Sequence, residues 1–407
     1  MNFKLFRLIH TEKPYKRYYY EPLKRDNIFF RVIFELKYYI LLYIKSLSLP
    51  IDSRYNKQLF LGQRKSILKM LCDSFLWTFK YKEICSYYFL YGLDLKGRKL
   101  NDYVAYTEFR VLRNILNFRQ RENLKTKYTF NYLALTRDKF VFGQFAKSLN
   151  IPCPQTIALI TNGNISYISQ EDMVKYEPLD SLKTKCLDVF CKECTGEGGK
   201  GAFPLKIERG HFFVGDHEET FDEIKNRFSN TRYIVQERVK NHSVIEKIYP
   251  NSINTVRLTT VIKDGEICFY DAYLRTGANG SVVDNACFGG VVIGITKDGC
   301  LTDWGIREPG KSTDLIVKQK HPDTGCLFAG VKLPYYEEMI ELSKHFHSYY
   351  YGIPSMGWDI AITEKGPVFL EAGEDWEIQL TQIFNGGRRK DFYALHGYAL
   401  NIKLRKY

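Results

Sequence analysis

The sequence has no hydrophobic run long enough to cross a bilayer. Its most apolar N-terminal stretch, Phe29–Leu49, contains Arg31, Glu35, Lys37 and Lys45, and its longest uncharged run is Tyr38–Ile44. A membrane-spanning helix needs about 20 consecutive apolar residues, so none is expected. Two roles suit this stretch: an interfacial helix lying on a membrane, or a packed helix whose lysines reach out to water. No secretory signal is expected, because Met1–His10 lacks an apolar run followed by a small-residue cleavage site. The ten cysteines follow no framework spacing, which argues against a disulfide scaffold and for free thiols in a reducing cytoplasm. Cys191-Lys-Glu-Cys194 has no second pair or nearby histidine to complete a zinc site. Internal repeats and low-complexity tracts are also missing. With 407 residues, 45% of them hydrophobic and 26% charged, the chain has room for two or three domains and is neither disordered, collagenous nor a coiled coil.

Charge is present but unevenly spread. The formal total is +13, yet residues 1–150 hold 29 Lys and Arg against 12 Asp and Glu, a net of +17. The remainder holds 30 against 34, a net of −4. A polyanionic partner, nucleic acid or an anionic membrane surface, is therefore a question for the first part alone. Tyr15-Lys-Arg-Tyr-Tyr-Tyr20 interleaves aromatic and basic residues as nucleic-acid binders do. No RNA- or DNA-binding motif accompanies it, and no nucleic-acid partner is expected.

Residues 1 to about 130 read as helical, with few glycines and few turn signals. Arg137–Leu149 fits an amphipathic helix with Phe142, Phe145, Ala146 and Leu149 on one face. Ile151-Pro-Cys-Pro154 ends it and opens an extended segment. Short β-type runs follow at 187–192, 233–238, 255–262, 267–273, 358–362 and 368–371. Lys263-Asp-Gly-Glu266 and Lys297-Asp-Gly-Cys300 serve as hairpin turns, and a helix is expected from about Tyr335 to Tyr350. Strands with interspersed helices and few helical crossovers predict an α+β fold rather than a doubly wound parallel sheet.

Three groups of residues carry chemistry. In Val189-Phe-Cys-Lys192-Glu-Cys-Thr-Gly196-Glu-Gly198-Gly199-Lys200-Gly201, a strand ends in a lysine and enters a loop with four glycines in six residues. Such a loop lets backbone N–H groups approach phosphate oxygens; it lacks Walker A and Rossmann spacing, and a ligand-free glycine hairpin would read the same. Gly357-Trp-Asp359 and Gly366-Pro-Val-Phe-Leu-Glu371 read as antiparallel neighbours that bring Asp359 and Glu371 together. Two carboxylates sharing a site need a cation between them, and Mg²⁺ held by them and by nucleotide phosphates suits the pair; exposed strand-end acids are the alternative. Third, Arg257 in Asn254-Thr-Val-Arg257 stands in an otherwise apolar or β-branched strand, followed by Arg275-Thr-Gly277, Val283-Asp284-Asn285 and Phe288-Gly-Gly290. An arginine there faces a carboxylate or an anionic ligand. His321-Pro-Asp-Thr324 is a compact polar turn, with or without a functional role.

Taken in chain order, Asp138-Lys139, the glycine loop, Val235-Gln-Glu-Arg-Val239, the arginine group and the Asp359–Glu371 pair resemble the ATP-grasp superfamily. The similarity is greatest to its sugar-transfer-associated members, whose genes lie among those for polysaccharide biosynthesis. It covers roughly residues 130–380; Tyr88-x-x-Tyr91-Gly92 extends it more loosely into the first third.

The resemblance implies a helical region over 1–130, a lid-bearing subdomain over 131–235 and a core subdomain over 236–407 that together clamp ATP. It implies an ATP- and Mg²⁺-dependent carboxylate–amine ligase acting on small molecules, a uronic acid or an amino acid in cell-surface polysaccharide synthesis. Lys139 and Lys192 would contact phosphates and the adenine edge, and Gly196, Gly198, Gly199, Lys200 and Gly201 would form the lid. Gln236, Glu237 and Val239 would meet adenine, with His242 or Ser243 near the ribose. Asp359 and Glu371 would hold Mg²⁺. Where the superfamily commonly places Asn, two residues after that Glu, this chain has Gly373, and Glu374 would supply the missing oxygen. Arg257, Arg275 and Lys192 would be catalytic, and Asn254, Asp284, Asn285 and His321 would join the two arginines at the substrate. The rival implications are a phosphotransferase acting on a sugar or its carrier, and a non-catalytic binder with a decayed nucleotide site. The basic N-terminal charge would place the protein at the cytoplasmic membrane face, through residues 1–60.

Overall fold

A computed structural model describes residues 28–112, 132–168, 174–196, 198–199, 201–229, 231–286, 289–308, 315–350 and 353–395. The stretch Tyr15–Tyr20, Lys200, Cys287 and Phe288 lie outside them. The chain forms two compact units, one of residues 1–129 and 377–407 and one of residues 130–376.

In the first unit, helices α1 (Ile28–Ser48) and α2 (Ile67–Tyr81) pack side by side. Polar contacts fix their crossing: Ser46 Oγ donates to the Ser74 carbonyl (3.1 Å), and Thr78 Oγ1 donates to Ser46 Oγ (2.6 Å). Ser66 caps the start of α2, and Lys82 ends it in a left-handed conformation. The helical expectation for 1–130 is too broad, because residues 82–105 are mostly turns, with Gly92 and Gly97 at positive φ where helix geometry fails. The helix Ile378–Asn385 belongs to this unit, and Gln382 clamps both backbone groups of Val104 (2.7 and 3.0 Å). Buried Glu108 accepts from Arg389 and Tyr393. No helix among the described residues is long and apolar enough to cross a membrane.

The second unit begins with a turn, α3 (Ala134–Arg137), and helix α4 (Lys139–Ser148). The predicted helix over 137–149 is therefore broken at Asp138, whose extended backbone lets its carboxylate cap the N–H groups of Phe140 (2.9 Å) and Val141 (3.1 Å). Strands β1 (Thr156–Thr161), β2 (Asn164–Ile168), β3 (Val174–Pro178), β4 (Leu187–Glu193), β5 (Phe203–Glu208), β6 (His211–Val214) and β7 (His217–Glu219) follow. Next come helix α5 (Phe221–Arg227), strand β8 (Tyr233–Glu237) and the short α6 (Ser243–Glu246). The first sheet is antiparallel, in the order β3-β2-β1-β8-β4-β5-β6-β7. One face of it is dry, with Val189, Cys191, Leu205 and Val235 meeting Ile224 and Phe228.

The second sheet holds β9 (Thr255–Lys263), β10 (Glu266–Thr276), β11 (Val291–Ile295), β12 (Leu301–Ile306), β13 (Ile316–Lys318), β14 (Ser355–Thr363) and β15 (Gly366–Gly373), with α7 (Tyr336–Ser348) between β13 and β14 in the chain. Its antiparallel order is β13-β12-β11-β10-β9-β14-β15. The period-2 alternation of strands separates two chemistries. Val256, Leu258, Leu274, Trp358, Ile360 and Phe369 face α4 and α7 in the main core. Opposite them, Tyr273, Arg257, Asp359 and Glu371 lie side by side across β10, β9, β14 and β15. A bulge makes this possible. Asp359 pairs with Glu371 but Ile360 pairs with Phe369, leaving Leu370 extra. In an unbroken strand Phe369 and Glu371 would point the same way; the extra residue sends one to the core and the other to the polar face. A second bulge does the same between Phe269 and Asp271.

One polar chain crosses the core. The Ile353 carbonyl can only accept, so His347 Nε2–H donates to it (2.9 Å) and Nδ1 accepts from Thr260 Oγ1 (2.8 Å). Thr260 in turn accepts from Trp358 Nε1 (2.8 Å). Burial drives the His347 pKa down to about 4 from an ordinary 6.5, so the folded state keeps it neutral while the unfolded state protonates. Stability is complete above pH 6.5 and declines as pH falls through about 4, by up to about 3 kcal/mol. Urea unfolding at stepped pH is expected to show this slope, reduced in His347→Gln.

Candidate active site

Strand β4 delivers Lys192 and the glycine loop to the polar face of the second sheet. Lys139, at the first turn of α4, ties the parts together. Its Nζ donates to the Gly196 carbonyl (2.6 Å) and pairs with Glu371 Oε1 (3.2 Å), and its N–H donates to the Cys194 carbonyl (2.8 Å). Asn285 Nδ2 holds the loop from the other side through the Gly198 carbonyl (3.0 Å). Gly201 has a positive φ, and a Cβ there would lie 2.8 Å from Glu193 Oε1, so this corner requires glycine. Burial lowers the Lys192 pKa, opposed by Glu371, Asp284 and Asp359, whose charges reach it across the gap.

Beneath the loop, four charged groups interlock. Arg257 Nε and Nη2 grip Asp359, the latter at 3.1 Å, and Arg275 Nη2 reaches the same carboxylate at 2.8 Å. Arg275 also donates to Thr255 Oγ1 (2.7 Å) and lies 3.7 Å from Asp284. Burial pushes Asp359 toward its neutral acid, but the two guanidinium groups outweigh it and hold the carboxyl at about 2. Asp284 goes the other way: burial raises its pKa against the opposing effects of Arg275 and Thr255. Burial disfavours the charge on Arg275, and Asp359 and Asp284 more than offset this, raising its pKa.

The remaining predicted residues make contacts of their own. Asn254 is buried, donating to the Tyr249 carbonyl (2.6 Å) and accepting from Ser252 Oγ (2.7 Å). His321 is fully buried; Nε2 meets the Gly277 carbonyl (3.0 Å) and Nδ1 accepts from Asp323 N (3.3 Å). Gln236 is buried opposite Phe190 on β4, whereas Glu237 and Val239 lead out of the sheet, with Glu237 Oε1 accepting from Gln155 N (2.9 Å). His242 caps α6 through Nδ1 (3.1 Å) and turns Nε2 toward Glu364 (3.2 Å). Gly199 is exposed in the loop. Glu374 is buried against Arg137, and its Oε2 has no hydrogen-bond partner among the described residues. Arg137 and Thr255 are contributors the sequence reading missed. Arg137 adjoins Asp138-Lys139, and a basic residue beside that pair was the available signal; Thr255 offered none.

Among the described residues no three His, Cys, Asp or Glu side chains cluster closely enough to hold a metal by themselves. Asp359 and Glu371, hard oxygen donors facing each other on neighbouring strands, still fit a Mg²⁺ whose other ligands are phosphate oxygens and water. All described cysteines are free, Cys191 and Cys194 included.

Two antiparallel sheets, with a glycine loop from one over a row of charges on the other, define an ATP-grasp fold. The family model for sugar-transfer associated ATP-grasp proteins matches residues 119–390, and the chain belongs to that family. Among solved structures, it is similar to N5-carboxyaminoimidazole ribonucleotide synthetase from Thermotoga maritima, with 13% identity and a TM-score of 0.36, over 68% of this chain and 55% of that one. It is also similar to L-amino acid ligase from Bacillus licheniformis, with 8% identity and a TM-score of 0.38, over 71% and 60%. The chain thus spans less than two thirds of the length of these structures. No curated protein matches it significantly.

Proposed function

We propose that the protein is an ATP- and Mg²⁺-dependent carboxylate–amine ligase. One observation carries the reading: Arg257, Asp359 and Glu371 lie in register on one face, with Arg275 one rung away, beneath Lys139, Lys192 and the glycine loop. That arrangement supplies positive groups and a carboxylate pair where a triphosphate enters. Bound Mg²⁺, held by Asp359 and Glu371, would neutralise phosphate charge. Lys139 and Lys192 orient the phosphates, and the loop N–H groups exclude water. An oxygen of the substrate carboxylate attacks the γ-phosphorus; the bond to ADP breaks, and an acyl phosphate forms. An amine nitrogen then attacks the acyl carbon, phosphate leaves, and the amine proton passes to solvent. Arg257 and Arg275 offset the charge that builds up on the transferring group. Catalysis rests on positioning and preorganised charge, and no protein nucleophile is needed.

The family's sugar-transfer association supports a uronic acid or amino acid destined for a cell-surface polysaccharide. The net +17 of residues 1–150 supports a location at a membrane's cytoplasmic face. ADP release measured over a matrix of uronic acids, amino acids and amines, with mass spectrometry of products, tests the chemistry. An amide is expected. A phosphorylated product without amide would replace the ligase with a phosphotransferase, and no turnover despite ATP binding would end both.

A further inference from the structure

The first unit has a cavity of about 730 Å³ beside α2, lined by Lys65, Lys69, Lys80, Arg98 and Lys99, with Trp77, Leu76 and Phe79 among its walls. Its one carboxylate, Asp73, is already shared by Lys65 (2.8 Å) and Lys69 (3.3 Å) and by the Tyr88 hydroxyl (3.0 Å). Lys80 donates to the neutral Asn101 amide oxygen (3.1 Å) and lies over the Tyr81 ring (4.9 Å), and burial, with the Arg389 charge, lowers its pKa against the opposing charge of Glu108. Among the described residues, the concavity therefore holds more positive charge than is neutralised.

Apolar stripes run along α1 and α2. α1 exposes Leu36, Ile40 and Ile44, and α2 exposes Leu68, Phe75, Leu76 and Phe79, each at helical spacing. Leu68 is 72% exposed and Leu36 60%, an arrangement unfavourable in water. Leu76 and Phe79 belong both to the stripe and to the cavity wall. Between residues 36 and 112 there are thirteen Lys and Arg against six Asp and Glu, and of those acids Asp73, Asp94 and Glu108 are buried.

We propose that this face is a membrane-docking surface in which the cavity takes the phosphate of an anionic phospholipid headgroup and the two stripes enter the headgroup–acyl boundary. Charge complementarity selects this occupant. Lysine is depleted at protein–protein interfaces, whereas lysine-rimmed apolar helix faces lie in anionic bilayers. A second copy related by a two-fold axis would set cations against cations. Residues 1–27 carry seven Lys and Arg against three Asp and Glu, so they too are a like-charged occupant. The proposal rests on the membrane-face location proposed above and is independent of the ligase chemistry.

Co-sedimentation of the full chain with phosphatidylcholine vesicles, with and without phosphatidylglycerol, tests it. Binding is expected only with phosphatidylglycerol and falls with salt. The Lys69→Gln/Lys99→Gln pair is expected to bind about 30-fold more weakly, since each cation near an anionic surface contributes about 1 kcal/mol. Leu76→Asp is expected to abolish binding; melting curves of both variants check the fold, and the exposed lysine pair serves if Leu76→Asp unfolds. A wild type that ignores phosphatidylglycerol would remove the membrane location itself. A wild type that binds while both folded variants bind equally would overturn only this site. Dimers dissociated by Leu76→Asp, with vesicle binding unchanged, would make the face a self-association surface and also overturn it.

Discussion

Asp359→Asn is expected to lower both stability and turnover, more than any other single change in the polar row. The carboxylate is the common counter-charge of Arg257 and Arg275, and its side chain is only 13% exposed. An amide in its place removes the charge that both largely buried guanidinium groups share, with Asp284 still 3.7 Å from Arg275, which costs about 3–5 kcal/mol. ADP release should fall by about 10³-fold, on the scale of losing a preorganised electrostatic contact. Glu371→Gln separates the two effects. Glu371 is 41% exposed and pairs with Lys139 (3.2 Å), so its loss should change stability by less than about 1 kcal/mol. If both residues hold Mg²⁺, turnover should fall comparably in both variants. Full turnover in Glu371→Gln, measured by coupled ADP assay, would remove it from the metal pair.

Trp358→Ala, one residue along the same strand, should act through the opposite face. Trp358 is fully buried, stacked on Phe346 (5.1 Å between centroids) and edge-on to Tyr350 (5.7 Å) and Phe369 (5.9 Å). Truncation leaves a cavity and deprives Thr260 of a donor, so about 4 kcal/mol should be lost in denaturant unfolding. Trp358→Phe keeps most of the volume and should lose distinctly less. A change below about 1 kcal/mol for alanine would mean that the core refills around the gap.

Much of this architecture was legible in the sequence. Short β-type runs located β9 and β10, Lys263-Asp-Gly-Glu266 marked their hairpin, and the antiparallel strands expected to bring Asp359 and Glu371 together do pair these two residues. What escaped detection was of three physical kinds. Edge strands such as β6 and β7 are short and exposed and carry little hydrophobic signal. The break at Asp138 is a capping choice that periodicity alone does not reveal, although Asp is a favoured cap. The interlocked arginines depend on neighbours that are distant in sequence: Arg257 and Asp359 are 102 residues apart. Sequence could nominate each charge, but only the sheet order shows that they neutralise one another.

The bulge at Leu370 has a consequence for how this strand can vary. β15 is read in two frames: residues before the extra position are in phase with the core, and Glu371 after it is in phase with the charges. Substituting Leu370 changes one side chain. Deleting it makes Phe369 and Glu371 adjacent, and adjacent residues of an unbroken strand point to opposite faces, so Phe369 stays inside and Glu371 outside while the bulge is lost. The bulge thus admits one residue that neither pairing requires, and the core and the polar row are bound to Phe369 and Glu371 themselves rather than to the residue count between them.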